Sequence, residues 1–339
     1  MVEAALQGKK ILVTGGAGFI GSELVHQLAD AGAEVVVVDN LVNGKRENLA
    51  DVIGERVRLD ISDIRDVDAM GKLLDGVQLV YHLACLGVRH SIHDPAENHA
   101  VNATATLQML ELSKQQGVGR FVYVSTSEVY GTARYAPMPE DHPTMPHTVY
   151  GGSKLAGECY ARAYFDTYGF DTVVVRPFNA FGPRSHHEGD SGEVIPKFML
   201  RSMAGQPMVI FGDGSQTRDF TYVADTARGI LLAGLSDKAL GETINLGQGK
   251  EITVRDLADL VRNATGNPEA EIVFDAPRPG DVLRLFADAG KAGTLLGFAP
   301  QVSMAEGLEK LRQWYGSLDQ DPATLLESEI RHNWRTDGN

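Results

Sequence analysis

Two short segments, far apart in the chain, contain residues whose types and spacing could transfer a hydride. Residues 14–22 read T-G-G-A-G-F-I-G-S, the kind of glycine-rich turn that holds the pyrophosphate of a dinucleotide. Tyr150 and Lys154 lie four residues apart and therefore share one face of a helix. A tyrosine ordinarily has a pKa of about 10, and a nearby ammonium favours its phenolate. Together the two segments predict hydride transfer to and from a carbinol, with Tyr150 as the proton acceptor.

The glycine-rich turn has the neighbours that a dinucleotide site requires. It follows an apolar strand predicted at residues 11–14 and precedes a helical pattern at residues 22–31. The backbone can therefore approach the pyrophosphate closely, and the helix N-terminus faces its negative charge. The alternative is an ordinary tight turn between a strand and a helix. The residues of the turn that we expect to contact the dinucleotide are Gly15, Gly18, Phe19, Ile20 and Gly21.

A carboxylate at the end of the second apolar run favours NAD over NADP. Asp39 ends the run V-V-V-V-D, 18 residues after Gly21. At that place a carboxylate accepts hydrogen bonds from both hydroxyls of the adenosine ribose, and it repels a 2′-phosphate. Asn40 follows directly and is predicted to belong to the same site. Asp60 and Ile61 end the third predicted strand and are predicted to flank the adenine.

The first half of the chain alternates between apolar strands and helical patterns. Strands are predicted at residues 11–14, 35–39, 57–60, 78–83, 120–125 and 171–176, and helices at 22–31, 63–75, 99–116 and from Tyr150 onward. This order predicts the α/β class, with a Rossmann-like doubly wound parallel sheet that binds its cofactor at the carboxyl ends of the strands. Beyond about residue 180, glycine and proline interrupt shorter elements, which predicts a smaller, mixed α/β C-terminal part.

These patterns divide the chain into three predicted regions. Residues 1–180 are predicted to form the NAD-binding domain, and residues 181–320 are predicted to form mainly the substrate-binding part. Within the second region, the segment E-T-I-N-L at 242–246 is a strand that could return to the main sheet. Residues 321–339 are predicted to be a polar tail.

Composition and charge exclude several functional classes. The chain has 45 acidic and 31 basic side chains and a net charge of −14, which argues against nucleic-acid partners and against an anionic membrane surface. Two cysteines without a C-x-x-C motif make a disulfide framework or a zinc site improbable, and we expect no metal. The N-terminus does not resemble a signal peptide, and no apolar run reaches membrane-spanning length. We therefore expect a cytoplasmic protein without a membrane partner.

The order of several motifs resembles a known enzyme family. They are T-G-G-A-G-F-I-G, Asp39, Y-H-L-A at 81–84, S-T-S-E-V-Y-G at 125–131, Y-x-x-x-K, R-P-F-N at 176–179 and G-D-G-S-Q-T-R-D-F at 212–220. Together they resemble the extended short-chain dehydrogenase/reductase family, specifically its NAD-dependent nucleotide-sugar epimerases and dehydratases. The resemblance runs from about residue 9 to residue 315. It implies tightly held NAD, a nucleoside-diphosphate sugar as substrate, and a homodimer that pairs the helices near 100–116 and 150–167.

The resemblance implies roles for individual residues. Thr126 would hydrogen-bond the 4-hydroxyl of the sugar, Tyr150 would take the proton of that hydroxyl, and Lys154 would hold the nicotinamide ribose. Asn179 would contact the substrate pyrophosphate, and Arg218 and Arg278 would lie near the phosphates and the nucleoside. The other positions implied are Leu83, Ala84 and Pro177 for the cofactor, and Arg89, Ser127, Val194, Lys197 and Asp281 for the substrate.

Glu128 is the residue that bears most on which reaction occurs. In the segment T-S-E it matches the base that 4,6-dehydratases use at carbon 5, whereas many 4-epimerases have a small residue there. Ser127 stands where dTDP-glucose dehydratases have an aspartic acid, so Glu128 would serve as both base and acid. Decarboxylases of UDP-glucuronate share T-S-E but continue with D-G-R-V-V. This chain has S-G-E-V-I at 191–195, where Glu193 is expected to repel a substrate carboxylate. The favoured order is therefore dehydratase, then 4-epimerase, then decarboxylase.

Two other classes of protein remain as alternatives. A non-catalytic NAD-sensing module would keep the glycine-rich turn, but it would not need Thr126, Tyr150 and Lys154 together. A net oxidoreductase that uses exchangeable NADPH would usually carry a basic residue after the second strand, where this chain has Asp39.

Overall fold

The structure is a computed structural model that describes residues 2–189, 191–277 and 282–332 of the 339-residue chain. Its strands are β1 (Lys10–Thr14), β2 (Glu34–Val38), β3 (Val57–Asp60), β4 (Leu79–His82), β5 (Arg120–Val124), β6 (Thr172–Pro177), β7 (Asn179–Phe181), β8 (Met208–Phe211), β9 (Thr217–Arg218), β10 (Phe220–Tyr222), β11 (Thr243–Leu246), β12 (Ile252–Thr253), β13 (Ile272–Asp275) and β14 (Arg284–Leu285). Its helices are α1 (Val2–Leu6), α2 (Phe19–Asp30), α3 (Val67–Leu73), α4 (Val88–His93), α5 (Pro95–His99), α6 (Ala105–Gln115), α7 (Val149–Tyr168), α8 (Val194–Met203), α9 (Val223–Leu235), α10 (Val254–Thr265), α11 (Gly290–Leu296), α12 (Met304–Gly316) and α13 (Pro322–Leu326).

A parallel sheet lies at the centre of the described part of the chain. Its order is β11-β6-β5-β4-β1-β2-β3, and each neighbouring pair is parallel. The chain first adds β2 and β3 on one side of β1. It then returns to the other side of β1 and adds β4, β5 and β6, so the direction of winding reverses between β1 and β4. Such a reversal opens a crevice at the carboxyl ends of the central strands, which is where α/β sheets bind ligands.

The strands form because their side chains are buried on both faces of the sheet. Val35–Val38 of β2 are all buried, as expected of a parallel strand that helices cover on both sides. One apolar cluster packs α2 and α9 against one face of the sheet, and a second packs α3 and α6 against the other. Helix α7 begins where Thr148 accepts a hydrogen bond from the N–H of Gly151 at 3.1 Å, and it ends at the left-handed Gly169.

A second layer covers the carboxyl ends of the central sheet. It contains the parallel pairs β8–β13 and β7–β10 and the small sheet β12-β9-β14. Helices α8, α10 and α12 pack against them around a separate apolar cluster, which includes Phe198, Leu257 and Leu311. Leu325 and Leu326 of α13 are buried in the same cluster, so the chain is packed against this layer to the end of α13.

The predicted α/β class with a Rossmann-like parallel sheet is confirmed. The segment E-T-I-N-L does return to the main sheet, where β11 pairs with β6. The predicted helix at 63–75 is shorter, because Asp66 caps α3 by accepting a hydrogen bond from Ala69 N–H at 3.0 Å. The predicted helix at 99–116 is divided into α5, a π-turn at Ala100–Thr104 and α6. No described helix is both long and apolar enough to cross a membrane.

Candidate active site

The glycine-rich turn lies between β1 and α2 at the carboxyl edge of the sheet. Gly15 has a φ of 69°, which L side chains rarely adopt, and a Cβ there would lie 2.7 Å from the backbone nitrogen of Ala84. Gly15 therefore brings the backbones of the turn and of the segment after β4 closer than any other residue would permit. Gly18, Phe19, Ile20 and Gly21 line the same cavity at the start of α2, where free N–H groups favour an anion.

We predict that Gly15→Ala lowers the affinity for NAD by about tenfold or more, because a side chain in this backbone conformation costs roughly 1–2 kcal/mol and also contacts the backbone of Ala84. The measurement is NAD released per chain on denaturation, followed by titration of the NAD-free protein. Gly54→Ala is the matched control, since a Cβ at Gly54 meets nothing within 4 Å. Equal NAD content in the two variants would contradict the prediction.

Asp39 is held at the end of β2 by two backbone groups. Its carboxylate accepts hydrogen bonds from Ala17 N–H at 3.0 Å and from Leu41 N–H at 2.9 Å. Burial raises the pKa of Asp39 above its ordinary value, and these two backbone hydrogen bonds oppose the rise. Asp39 and its neighbour Asn40 both line the cavity, beside the glycine-rich turn. A fixed, buried carboxylate in this place suits the hydroxyls of a ribose and disfavours a phosphate.

Asp60 and Ile61 are not among the residues that line the cavity, and their place beside the adenine remains a prediction. The Asp60 carboxylate accepts a hydrogen bond from Ser62, and Ile61 is exposed. Asp63 and Ile64, which repeat the same dipeptide three residues later, line the cavity. The first copy of the dipeptide spans the end of β3, and the second copy lies in the loop that follows.

Arg65 sets the charge of Asp63 at this end of the cavity. Its Nη2 donates to Asp63 Oδ2 at 2.7 Å. The hydrogen bonds from Arg65 hold the pKa of Asp63 at about 2. Asn40 Nδ2 also donates to Asp63 Oδ2 at 3.3 Å, which joins the loops that follow β2 and β3. Asp63 is therefore ionised at neutral pH and fixed beside the loop that carries Asp39.

Tyr150 lies beside residues that follow β4 and β5. It is half-buried at the start of α7 and lines the cavity together with Thr126, Glu128 and Cys85. Burial raises the pKa of Tyr150 well above its ordinary value, and electrostatic interactions with Cys85 and Glu128 add to the rise. Hydrogen bonding to Thr126 opposes it. The phenol is therefore protonated at neutral pH in the unliganded chain, and only added positive charge would favour the phenolate.

Lys154 is buried beneath the phenol and bound to the sheet. Its side chain is 1% exposed, its Nζ donates to Val124 O at 2.6 Å, and the ammonium lies 4.5 Å from the ring centroid of Tyr123. Burial lowers the pKa of Lys154 below its ordinary value. The expected tuning of Tyr150 by Lys154 remains a prediction. Lys154 nevertheless lies on the cavity wall, where a ribose hydroxyl could reach it.

A buried ion pair fixes α7 to the sheet below the phenol. Arg176 of β6 donates to Glu158 through Nε at 2.8 Å and through Nη2 at 2.6 Å, and both side chains are almost fully buried. Burial raises the pKa of Glu158, but the contact with Arg176 outweighs burial and leaves this pKa below its ordinary value. Ser125 Oγ also donates to Glu158, at 2.5 Å. Because Ser125 precedes Thr126, one carboxylate fixes the positions of both the helix of Tyr150 and the loop of Thr126.

Most of the predicted substrate-binding residues also line the cavity. Those that line it are Arg89, Thr126, Asn179, Val194, Lys197 and Arg218, and the predicted cofactor contacts Leu83, Ala84 and Pro177 also line it. The Oδ1 atom of Asn179 is buried and accepts no hydrogen bond from the described residues. Arg218 Nη1 donates to Thr217 O at 2.8 Å and to Val282 O at 2.6 Å. Arg278 and Asp281 lie outside the described residues.

The surroundings of Ser127 and Glu193 bear on the roles predicted for them. Ser127 is 4% exposed and lies outside the cavity lining, because the 3₁₀ turn Ser127–Val129 directs it into the interior while its neighbours Thr126 and Glu128 face the cavity. Glu193 does line the cavity, but burial raises its pKa to about 8. Glu193 is therefore protonated at neutral pH, and the expected repulsion of a substrate carboxylate does not hold.

Cys85 is a residue that the sequence reasoning missed. It directly follows Ala84 and lines the cavity beside Tyr150. Because β4 lies next to β1 in the sheet, the residues after β4 necessarily lie beside the glycine-rich turn. That register could have identified Cys85 from its position alone.

The lining residues named above surround one cavity of about 940 Å³. Its wall includes the glycine-rich turn and Asp39, Tyr150 and Thr126, and parts of α8 and β8. Its size and mixed lining suit two extended polar ligands that meet at Tyr150. Among the described residues, no three His, Cys, Asp or Glu side chains are grouped as metal ligands.

The sequence as a whole is similar to proteins with related activities. The profile of the NAD dependent epimerase/dehydratase family matches residues 11–247. A putative UDP-glucose 4-epimerase of Methanocaldococcus jannaschii is 37% identical over 307 residues, which covers 90% of this chain and 97% of the relative. UDP-glucuronic acid decarboxylase 1 of Danio rerio is 35% identical over 313 residues, which covers 91% of this chain and 72% of that protein.

A solved structure with the same fold contains bound NAD. The dTDP-glucose 4,6-dehydratase of Streptomyces venezuelae, solved with NAD bound, superposes with a TM-score of 0.84 at 37% sequence identity. The match covers 91% of this chain and 97% of that protein. The relatives therefore include proteins named as a 4-epimerase, a 4,6-dehydratase and a decarboxylase of nucleotide sugars, and the dehydratase shares the architecture described above.

Proposed function

The chain belongs to the NAD-dependent epimerase/dehydratase family, and we propose that within this family it is a nucleoside-diphosphate-sugar 4,6-dehydratase. The observation that carries the proposal is Glu128, a carboxylate on the cavity wall close enough to Tyr150 to raise the pKa of the phenol. A carboxylate beside the proton acceptor of carbon 4 is suited to remove a proton from the neighbouring carbon 5. An enzyme that only inverts carbon 4 has no use for it.

The end of the cavity that includes Gly15, Asp39 and Asp63 fits NAD. The close approach that Gly15 permits, the N-terminus of α2 and the buried Asp39 carboxylate are the features that a pyrophosphate and a ribose diol need. Lys154 would hold the nicotinamide ribose. When bound, NAD supplies an acceptor for the hydride of carbon 4 and later a donor of the same hydride.

Thr126 and Tyr150 act on the 4-hydroxyl of the sugar. Thr126 accepts or donates a hydrogen bond that orients this hydroxyl, and Tyr150 takes its proton as the C4–H bond breaks. A positively charged nicotinamide ring bound near the phenol would lower the pKa of Tyr150, which burial raises. The sugar then carries a 4-keto group, which makes the hydrogen on carbon 5 acidic.

Glu128 carries the second half of the proposed reaction. Its carboxylate removes the proton from carbon 5, and the C6–OH bond breaks as the new C5–C6 double bond forms. Protonated Glu128 supplies the proton with which the hydroxyl leaves as water. The hydride then returns to carbon 6 and a proton to carbon 5, so the net change is the loss of one water and no net oxidation.

A 4-epimerase is the second candidate. The putative UDP-glucose 4-epimerase of Methanocaldococcus jannaschii is as similar to this chain as the dehydratase of Streptomyces venezuelae. Thr126, Tyr150 and Lys154 suffice for epimerisation, in which the hydride returns to the opposite face of carbon 4. In that case Glu128 would be idle, which is the reason we place epimerisation second.

Decarboxylation is the third candidate, and the charge of Glu193 does not exclude it. With a pKa of about 8, this side chain is neutral at physiological pH and can donate a hydrogen bond to a uronate carboxylate. The products distinguish the three reactions. A dehydratase yields a product lighter by one water, a decarboxylase a product lighter by one carbon dioxide, and an epimerase a product of equal mass and altered retention.

We predict that Glu128→Gln slows dehydration by about a hundredfold or more, since a general base commonly contributes 10²–10⁴-fold. Oxidation at carbon 4 persists, because Thr126, Tyr150 and Lys154 remain. The measurement is product mass after incubation with UDP-, dTDP- and GDP-hexoses, together with reduced-nicotinamide absorbance. Glu306→Gln, at an exposed position of α12, is the control. Dehydration by Glu128→Gln at the wild-type rate would refute the role of Glu128, and an epimerised product from the wild type would favour the second candidate.

A further inference from the structure

One loop of the covering layer forms two ion pairs with the part of the chain that fits NAD. Residues 182–189, which we call the clasp loop, lie between β7 and α8, and both of these elements belong to the covering layer. Arg184 of the clasp loop pairs with Glu23 of α2. Glu188 pairs with Lys45, which lies in the segment after β2. The two pairs therefore join the covering layer to two different elements of the cofactor site.

Lys45 is fixed close to the carboxylate expected to hold the ribose. Its backbone N–H donates to Ala17 O of the glycine-rich turn at 3.0 Å. Ala17 N–H in turn donates to the Asp39 carboxylate at 3.0 Å. Gly44, directly before Lys45, lines the cavity, and a Cβ on it would lie 2.7 Å from Asp39 Oδ1. An ion pair at Lys45 therefore restrains the segment that packs against Asp39.

The Glu188 carboxylate is ionised and held in one orientation. Its Oε2 accepts a hydrogen bond from His187 N–H at 2.9 Å, and its Oε1 contacts the Lys45 ammonium. Burial raises the pKa of Glu188, but hydrogen bonds from Lys45 and from the backbone outweigh burial and hold this pKa at about 2. His186, two residues earlier, lines the cavity. The pair with Lys45 thus connects two segments of the cavity wall that come from different layers.

The pair between Arg184 and Glu23 is the more enclosed of the two. The two side chains are 18% and 19% exposed, so water screens their attraction less than it screens a surface pair. Arg184 has a φ of 68°, a conformation that a residue with a side chain keeps only where its contacts outweigh the cost. Glu23 lies on α2, which starts at the glycine-rich turn. The clasp loop is therefore held at two points beside the cofactor site.

The reaction cycle gives these contacts a use. In all three candidate reactions, the hydride that the cofactor accepts from the sugar has to return to that sugar. If the reduced cofactor leaves before this return, a keto sugar is left without its hydride donor. Within the described chain, the cavity lining does not include Glu23, Lys45 or Glu188, so these residues can control release of the cofactor without contacting it.

We propose that the clasp loop retains NAD, because the pairs Lys45–Glu188 and Arg184–Glu23 close the covering layer over the cofactor. Both pairs have to open before the cofactor enters or leaves. They form a kinetic barrier to exchange and contribute little to the affinity. The proposal concerns the cofactor alone and holds for each of the three reactions, so it stands independently of the proposed function.

The test measures both rate constants of cofactor exchange with NADH as the fluorescent probe. Mixing NADH with the NAD-free full chain gives the association rate, and displacement of bound NADH by excess NAD gives the dissociation rate. We expect Glu188→Gln to raise both rates by about fivefold, and the double variant Glu23→Gln/Glu188→Gln to raise both by about twentyfold. The Kd for NADH should change by less than about twofold, because opening is easier in both directions.

An exchange of charges separates the ion pair from a general effect on folding. Lys45→Glu alone should accelerate exchange, and Lys45→Glu combined with Glu188→Lys should return both rates to within about threefold of the wild type. Glu309→Gln breaks an exposed pair within α12 and is the control, which should exchange NADH at the wild-type rates.

Three results would overturn the proposal. The first is exchange at the wild-type rates in Glu23→Gln/Glu188→Gln. The second is faster dissociation with an unchanged association rate, since that pattern marks residues that stabilise the bound cofactor and do not gate its passage. The third is a charge-exchanged variant that releases NADH as fast as Lys45→Glu, because the attraction between the two side chains then has no part in retention.

Discussion

Replacing Tyr150 with phenylalanine should lower turnover of the preferred sugar nucleotide by about 10²–10⁴-fold while leaving NAD bound. The change removes a single hydroxyl, and the magnitude is that of a general acid–base group lost from an active site. The ring itself stays in place on α7, beside Thr126 and above Lys154. The loss should therefore lie in the chemical step, with the Michaelis constant changed little.

The measurement is steady-state turnover together with the rate at which bound NAD is reduced after rapid mixing with substrate. Tyr168→Phe is the matched control, because Tyr168 is exposed at the other end of the same helix. Both rates should fall together in Tyr150→Phe, since the proton and the hydride leave the same carbinol. Reduction of bound NAD at the wild-type rate in this variant would show that another group accepts the proton.

The largest expected effect on stability is at Arg176. Arg176→Met leaves the Glu158 carboxylate buried without its bidentate partner, which typically lowers the free energy of unfolding by about 3–5 kcal/mol. Met fills much of the volume of the arginine stem, so the loss reflects charge and not a cavity. Tyr130, whose hydroxyl accepts from Arg176 Nη1 at 2.7 Å, also loses a partner.

Urea unfolding followed by tryptophan fluorescence measures this change. Arg312→Met, which breaks the exposed ion pair with Glu309, should lower the free energy of unfolding by no more than about 1 kcal/mol. Combining Arg176→Met with Glu158→Leu should recover part of the loss, because no unpaired buried charge remains. If Arg176→Met is no more destabilising than Arg312→Met, the buried pair does not hold α7 to the sheet.

The order of strands and helices could be read from the sequence because buried parallel strands leave a strong signal. The run V-V-V-V-D predicts both β2 and the position of Asp39, since a strand covered on both faces has to be apolar throughout. Tyr150 and Lys154 were predictable for a similar reason, because a spacing of four fixes one helical face. These inferences depend only on local geometry and on the order of elements.

The sequence is less informative where a residue's place depends on a turn or on distant chain segments. Asp60-Ile61 and Asp63-Ile64 look alike in sequence, and only the loop after β3 decides which pair faces the cavity. Ser127 is turned inward by a single 3₁₀ turn. The charge of Glu193 depends on its burial, which spacing along the chain does not reveal.

The segment of residues 328–332 shows the same limit more strongly. Its contacts join residues separated by more than a hundred positions, as in the pair between Arg201 and Glu329. Nothing in the local sequence around Glu329 indicates that its partner lies on α8. The homodimer expected from the helices near 100–116 and 150–167 likewise remains a prediction, because it depends on a second chain.

The most direct test of the account is to follow the hydrogen on carbon 4 of the sugar. The purified enzyme is incubated in ordinary water with a nucleoside-diphosphate hexose that carries deuterium at this position, and the product is examined by mass and by nuclear magnetic resonance. A 4,6-dehydratase should deliver a product that has lost one water and carries the deuterium on carbon 6, without dilution by solvent hydrogen. Deuterium that appears in the solvent would contradict the account. So would a product that forms without transfer of the deuterium through the bound cofactor.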